Sequence, residues 1–364
     1  MNRQNIVPLS IFFTLLFFVN CSSAEKKNLS SDDNPGLSQK IEVVKYSVKT
    51  KNSGKKKSAI LKKPSGFKPA KPEVITYGND DLKVTLYAKR FAQGSGVYAE
   101  IEQQDGGSDP ESLSLSYRNM DVPVTKTSWG YRSLWGIDPE EKPGHASVIV
   151  NYKINGKNKT LASDILIRDV DFPVSKSMMN VGKFSDKNYT NNSKFKNVIA
   201  ECSALLKKAF SSVTEDSIQS TLSHPRDMHK ITGDYWNKRI YLKYQKKKKK
   251  KIIVEGQKRF HRGLDLKGSA GAPVFAMADG IVVLSHKMFF EGNMVIIDHG
   301  NQVFSYYQHL ESRKVDEGKR VRAGEIIGGA GATGMVTGPH LHVSFMIRGV
   351  YVDPLSILYL PISR

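Results

Sequence analysis

The stretch TGPHLHVSFMI, residues 337–347, opens on a turn signal and runs into an apolar alternating segment that begins with two histidines, two positions apart. Turn residues followed by period-two alternation predict a β-strand. In a strand, residues i and i+2 share a face. His340 and His342 therefore project side by side, with Leu341 turned into the opposite layer. Two neutral imidazoles buried together without partners are costly, so the pair either shares a site or consists of ordinary strand residues.

Around this strand the chain reads as strand after strand from about 255 to 360: GIVVLS, NMVIIDHG, QVFSYYQHL, EIIGGAG and HLHVSFMI, separated by Gly and Pro. The expectation is a compact all-β domain over residues 232–364. Upstream, alternation returns at Val84 and Leu86, at Val97, Ala99 and Ile101, at Leu113, Leu115 and Tyr117, and from Val148 to Ile154. Asn155-Gly156 is a hairpin turn before the next apolar run. Residues 75–175 are expected to form a β-sandwich-like domain, with Trp129, Tyr131 and Trp135 as core aromatics rather than a ligand patch. Between the two, Phe195, Val198, Ile199, Cys202, Leu205, Leu206 and Ala209 follow helical spacing. That makes 176–231 a helical connector capped by Ser193, with Cys202 a small buried hydrophobe. The fold class is mainly β.

The first 21 residues, MNRQNIVPLSIFFTLLFFVNC, set an apolar core between Arg3 and Cys21, too short for a comfortable membrane span and suited to an export signal. Residues 22–74 hold thirteen Lys against five acids and few apolar groups, the composition of a disordered basic tether. The whole chain of 364 residues carries a formal charge of +20. That favours anionic surfaces, yet no Cys/His finger spacing and no aromatic-rich basic signature accompanies it, so nucleic acid is not the expected partner. The run Lys246–Lys251 reads as a solvated hairpin tip or loop, or as a contact to an anionic wall polymer or membrane surface.

Chemistry concentrates in the C-terminal block. Six of the nine histidines lie between 261 and 342. HRGLDL supplies His261 and Asp265, YYQHL supplies His309, and GPHLH supplies His340 and His342. Imidazole and carboxylate are ligands that zinc accepts, and a catalytic zinc commonly uses three protein ligands. Five candidates exceed that need and leave one or two for proton transfer. His286 and His299 read as strand-end residues, and His145, His224 and His229 have no local partner of the right kind.

HRGLDL, APVFAMADGIVV, GNMVIIDHG, YYQHL, VRAGEIIGGAGATG and TGPHLH occur in that order, and together they resemble the catalytic domain of the lysostaphin-type zinc endopeptidases of bacterial cell walls. The resemblance covers roughly residues 232–358. It implies one Zn2+ held by His261, Asp265 and His342, with His309 and His340 beside the metal-bound water as proton-transfer groups, and peptidoglycan cross-links as substrate. A degenerate member of such a family would instead be an inactive wall-binding regulator of another hydrolase. All five positions are retained here, which favours the enzyme. Two departures stand out. The stretch before His261 reads KRIYLKYQKKKKKKIIVEG in place of the family's G-x-(S/T)-x-F-G-x-R, and Val343-Ser344 replaces the usual Phe-Glu after H-x-H. FVNC likewise resembles a lipobox, with Phe18 and Asn20 off the preferred residues. It implies lipidation at Cys21 and membrane attachment; Ser22 then points to the outer membrane, facing the periplasm, with any regulatory partner unspecified.

Overall fold

The computed structural model describes residues 46–47, 58–59, 67, 70–104, 108–247 and 250–362. The chain divides into two units, 1–62 and 63–364. In the first, Tyr46–Ser47 pairs antiparallel with Ser58–Ala59. The expected export signal with Cys21 and nearly all of the expected tether lie outside the described residues. The second unit begins its first strand at Glu73, inside the segment read as tether. No helix among the described residues is long and apolar enough to cross a membrane.

Two antiparallel sheets enclose the first core. One runs Glu73–Gly78, Leu82–Ala88, Gly96–Gln103, Gly130–Gly136, Val124–Thr127 in spatial order; the other runs Lys157–Ile167, Gly144–Ile154, Ser112–Tyr117, Met120–Val122. Alternation put the right residues inside: Val84, Leu86, Val97, Ala99, Ile101, Leu115, Tyr117, Val148, Val150, Tyr152 and Ile154 share one core with Tyr131 and Trp135. Asn155 and Gly156 have φ of 50° and 72° and join Ile154 to Lys157 in the two-residue turn their side chains allow.

The connector departs from expectation. Val174–Met179 is a strand, parallel to Lys238–Lys247, which in turn pairs with Lys250–Phe260 as a long hairpin. The main helix spans only Lys196–Phe210. Ser193 does not cap it: Asn192 accepts from the Lys194 N–H to start a 3-10 turn, Ser193–Phe195, that leads into the helix. Val198 faces solvent, whereas Cys202 and Ala209 pack on Leu284, Met288, Met294, Ile296, Phe304, Tyr306 and Met346. Residues 211–230, rich in Ser and Thr and interrupted by Pro225, form no helix. Their backbone is met by side chains instead: the Asp279 carboxylate accepts from the N–H groups of Gln219 and Ser220, and Ser212 donates to Asp298.

The C-terminal sheet runs Ile231–Gly233, Leu264–Lys267, His340–Ile347, Val303–Leu310, Gly292–Asp298, Gly280–Met288, Arg320–Val321, with Val350–Val352 also paired to His340–Ile347. A smaller sheet, Pro273–Phe275, Ile326–Gly329, Ser312–Arg313, accompanies it. Leu341, Val343, Phe345 and Ile347 enter one core. His340, His342, Ser344 and Met346 take the other face, as the alternation requires. Gly96 N–H donates to Ser356 Oγ at 3.1 Å and Lys89 pairs with Asp353 at 3.1 Å, tying the sandwich to this sheet.

His299 is not a loose strand end. It is fully buried, donates Nδ1–H to the Asp279 carbonyl at 2.7 Å and accepts at Nε2 from Ser305 Oγ at 2.8 Å. Tyr307 donates in turn to Ser305 and accepts from the Met277 N–H. Burial pushes the His299 imidazole down from 6.5 to about 4. The unfolded chain therefore takes up a proton between those values that the folded chain refuses, and stability falls as pH drops through that window. Thermal melts from pH 7 to 4 are expected to show this loss, with a slope shallower by up to about 1.4 kcal/mol per pH unit in His299→Gln.

Candidate metal centre

His340–Ile347 lies between Leu264–Lys267 and Val303–Leu310, with Asp265 directly opposite His342 on one side and Gln308 opposite it on the other. Directly opposed residues share a face, so Asp265 Oδ1 and His342 Nδ1 meet at 3.0 Å. His261, four residues before Asp265 and just past the hairpin, turns Nε2 to within 3.0 Å of the same oxygen and 2.8 Å of His342 Nδ1. Three donor atoms converge, all on buried side chains.

Their outward atoms are each engaged. His261 Nδ1 lies 2.7 Å from the Asp234 carbonyl, which requires that this nitrogen carry the proton. His342 Nε2 lies 3.0 Å from Ser344 Oγ, and the buried Tyr306 hydroxyl hydrogen-bonds the same serine. Asp265 Oδ2 accepts from the Arg239 guanidinium at 2.7 Å. Arg239 also stands 2.9 Å from His261 Nδ1, but with the proton on that nitrogen the contact is between two donors, and the carboxylate is its true partner. Two glycines make room: a Cβ at Gly263 would strike Ser344 and His342, and one at Gly233 would strike Arg239 and Asp265.

The arrangement fits a cation. With the outer positions taken, two imidazole lone pairs and a carboxylate oxygen face one point, and the 2.8 Å nitrogen–nitrogen contact requires a shared proton or a metal in its place. Donors about 2.0–2.1 Å from a tetrahedral zinc stand about 3.3 Å apart, so the observed 2.8–3.0 Å needs only a few tenths of an ångström of opening. Burial pushes His342 down to about 4 and keeps it neutral. Burial works to raise the Asp265 carboxyl, but the adjoining His261 and His342 outweigh it and hold the group well below the usual carboxylate range.

His309 and His340 border this trio. Each directs Nδ1 to a backbone carbonyl, Thr333 at 2.9 Å and Gly338 at 2.8 Å, which leaves Nε2 as a lone pair. Their rings lie 5.2 Å apart, His309 is 6.0 Å from the His342 ring, and His340 Nε2 is 3.5 Å from Asp265 Oδ1. Burial first, then the neighbouring His342 and His340, drive His309 down to about 3, so it is uncharged at neutral pH. It holds a left-handed φ of 62°, a conformation that costs about 1–3 kcal/mol and is held by its N–H bond to the Glu291 carbonyl.

All five side chains singled out from sequence thus meet in one place. Arg239 was missed, although it lies in the stretch that departs from the family pattern. Nothing local distinguishes it from the lysines and arginines beside it. His224 and His229 stay outside this centre, their rings approaching each other at 3.2 Å, nitrogen to nitrogen.

Residues 259–354 match the family model described as Peptidase family M23. The chain is 36% identical over 136 residues to the peptidoglycan DD-endopeptidase ShyC of Vibrio cholerae serotype O1, covering 37% of this chain and 29% of that one. It is 43% identical over 99 residues to the DD-carboxypeptidase/endopeptidase Mpg of Neisseria meningitidis serogroup B, covering 27% and 23%. Among solved structures, the catalytic domain of the antimicrobial peptidase lysostaphin from Staphylococcus simulans is 32% identical, with 28% of this chain and 80% of that chain covered and a TM-score of 0.27. The chain spans less than a third of the length of either curated relative.

Because Arg239 and Ser344 orient the candidate ligand atoms of Asp265 and His342 rather than supply one, Arg239→Gln and Ser344→Ala are each expected to weaken divalent-metal affinity about 10- to 100-fold. Competition with a chromophoric chelator measures this; unchanged affinity in both would refute the orienting role.

Proposed function

We propose that the chain is a zinc-dependent endopeptidase that hydrolyses peptide cross-links of bacterial peptidoglycan. The observation that carries the reading is the convergence of His261 Nε2, Asp265 Oδ1 and His342 Nδ1 beside two further imidazoles with free lone pairs. The M23 match over those residues and the names of the peptidoglycan-acting relatives support it. Those three atoms are the zinc ligands in this proposal, and the bound ion supplies Lewis acidity that makes water nucleophilic near neutral pH.

The chain's own groups handle the proton. His309 and His340 have spent their Nδ1–H on backbone carbonyls, so either Nε2 can accept a proton as a peptide carbonyl is attacked. The ring that accepts it becomes a donor and can return the proton to the leaving nitrogen. The other ring orients reactants at the same edge of the strand. The inactive wall-binding regulator is not favoured, because all five side chains converge. Export, a lipid anchor at Cys21, residence at the outer membrane facing the periplasm, and the division into signal, tether, sandwich, connector and peptidase segments belong to the same proposal. They rest on the residues quoted above.

The test separates ligand from proton-transfer groups. His342→Ala is expected to lose stoichiometric zinc. His309→Ala should keep zinc while muropeptide release from purified peptidoglycan falls at least 100-fold. Wild-type protein that holds zinc yet releases no muropeptide from any cross-bridge type would sink the reading.

A further inference from the structure

The hairpin Lys238–Lys247/Lys250–Phe260 begins in the metal centre, at Arg239, and ends in the lysine run. Its register sets Lys246 opposite Lys251 and Lys247 opposite Lys250. Like charges directly opposed across an antiparallel pair destabilise it, so the tip is not arranged for the hairpin's own stability. Lys246 reaches Asp186 at 3.6 Å, and Lys251 lies over the Tyr244 ring at 5.0 Å. Among the described residues, Lys247 and Lys250 have no carboxylate within ion-pairing distance.

The neighbourhood adds positive charge rather than balancing it. Residues 174–196 and 238–260 together carry sixteen Lys and Arg against Asp186 and Glu255. Lys183 and Lys187 are exposed on the segment the hairpin packs against, where Asn188 Nδ2 donates to the Lys246 carbonyl. Lys187 and Arg259 are close enough to depress Lys243, which burial lowers first. Immediately behind the lysines stand Ile252 and Ile253, 46% and 64% exposed, on opposite faces of one strand. A hydrated anionic polymer would satisfy the ammonium groups and leave both isoleucines in water. A lipid interface accepts both, with apolar side chains at the acyl boundary and lysines among the headgroup phosphates.

We propose that this end of the hairpin, Lys246 and Lys247 on one strand with Lys250–Ile253 on the other, is a docking site for an anionic phospholipid surface. Lys247 lies eight positions beyond Arg239, so at about 3.3 Å per residue a docked tip holds the candidate metal centre roughly 25 Å from the membrane. Docking is independent of the chemistry proposed for the centre and of any lipid on Cys21, and can be read without activity.

The experiment is co-sedimentation of the full chain with neutral phosphatidylcholine vesicles and with vesicles containing 30% phosphatidylglycerol. Parent is compared with Lys247→Gln/Lys250→Gln, with the matching Arg pair, and with Ile252→Ser/Ile253→Ser. Each lysine near such a surface contributes roughly fivefold, so the Gln pair is expected to lower partition onto anionic vesicles about 25-fold, leaving the neutral vesicles unchanged. The Arg pair should bind like the parent. The Ser pair should bind anionic vesicles more weakly with the parent's salt dependence. Thermal melts and metal content matching the parent show that each variant is folded. Parent-like anionic binding by the Gln pair overturns the proposal. So does a Gln pair that loses binding to purified sacculi while keeping its vesicle binding, an outcome that assigns the lysines to the wall polymer.

Discussion

Everything at the candidate metal centre depends on one register: Asp265 directly opposite His342 in the antiparallel pairing of Leu264–Lys267 with His340–Ile347. A shift of one residue would turn both histidines of the strand into the layer now filled by Leu341 and Val343, and would expose those apolar groups. The core therefore enforces the site. Leu264 and Leu266 on one strand and Leu341, Val343 and Phe345 on the next are buried at 3% or less, so slippage would expose several large apolar side chains at once.

The second constraint is polar. Three inward donor atoms are usable only because each outward atom has a partner of the right sense: a carbonyl for His261, a hydroxyl for His342, a guanidinium for Asp265. Buried groups without such partners would be free to rotate or to take the wrong tautomer. Ser344 supplies that hydroxyl, and it leans on Tyr306 from the next strand. The same logic runs through His299, Ser305 and Tyr307, which form a closed chain of donors and acceptors across the sheet without any part in the chemistry.

The strands of the sandwich and the C-terminal sheet were legible because period-two patterning is local and one face of each strand is apolar. The Asn155-Gly156 turn was legible because its backbone requires residues that tolerate positive φ. The connector was less legible. A helical stripe extrapolated over 176–231 missed the parallel strand Val174–Met179, whose exposed Val174 and Met178 give no inward alternation, and it misplaced the helix start by three residues. Residues 211–230 hold their shape through Asp279 and Asp298, which lie far along the chain.

By itself the sequence determined the β character of the chain, the excess of positive charge, and the five residues able to bind metal or carry protons. Each of these follows from residue type and short-range spacing. Tertiary structure decided which atoms of His261 and His309 face inward, since that depends on Asp234 and Thr333 arriving from distant parts of the chain, whereas His340 and His342 are oriented by Gly338 and Ser344, two residues away. It also decided that Arg239, one basic residue among many, is the one buried against Asp265. A cation's value depends on what surrounds it, and no window of sequence contains both partners.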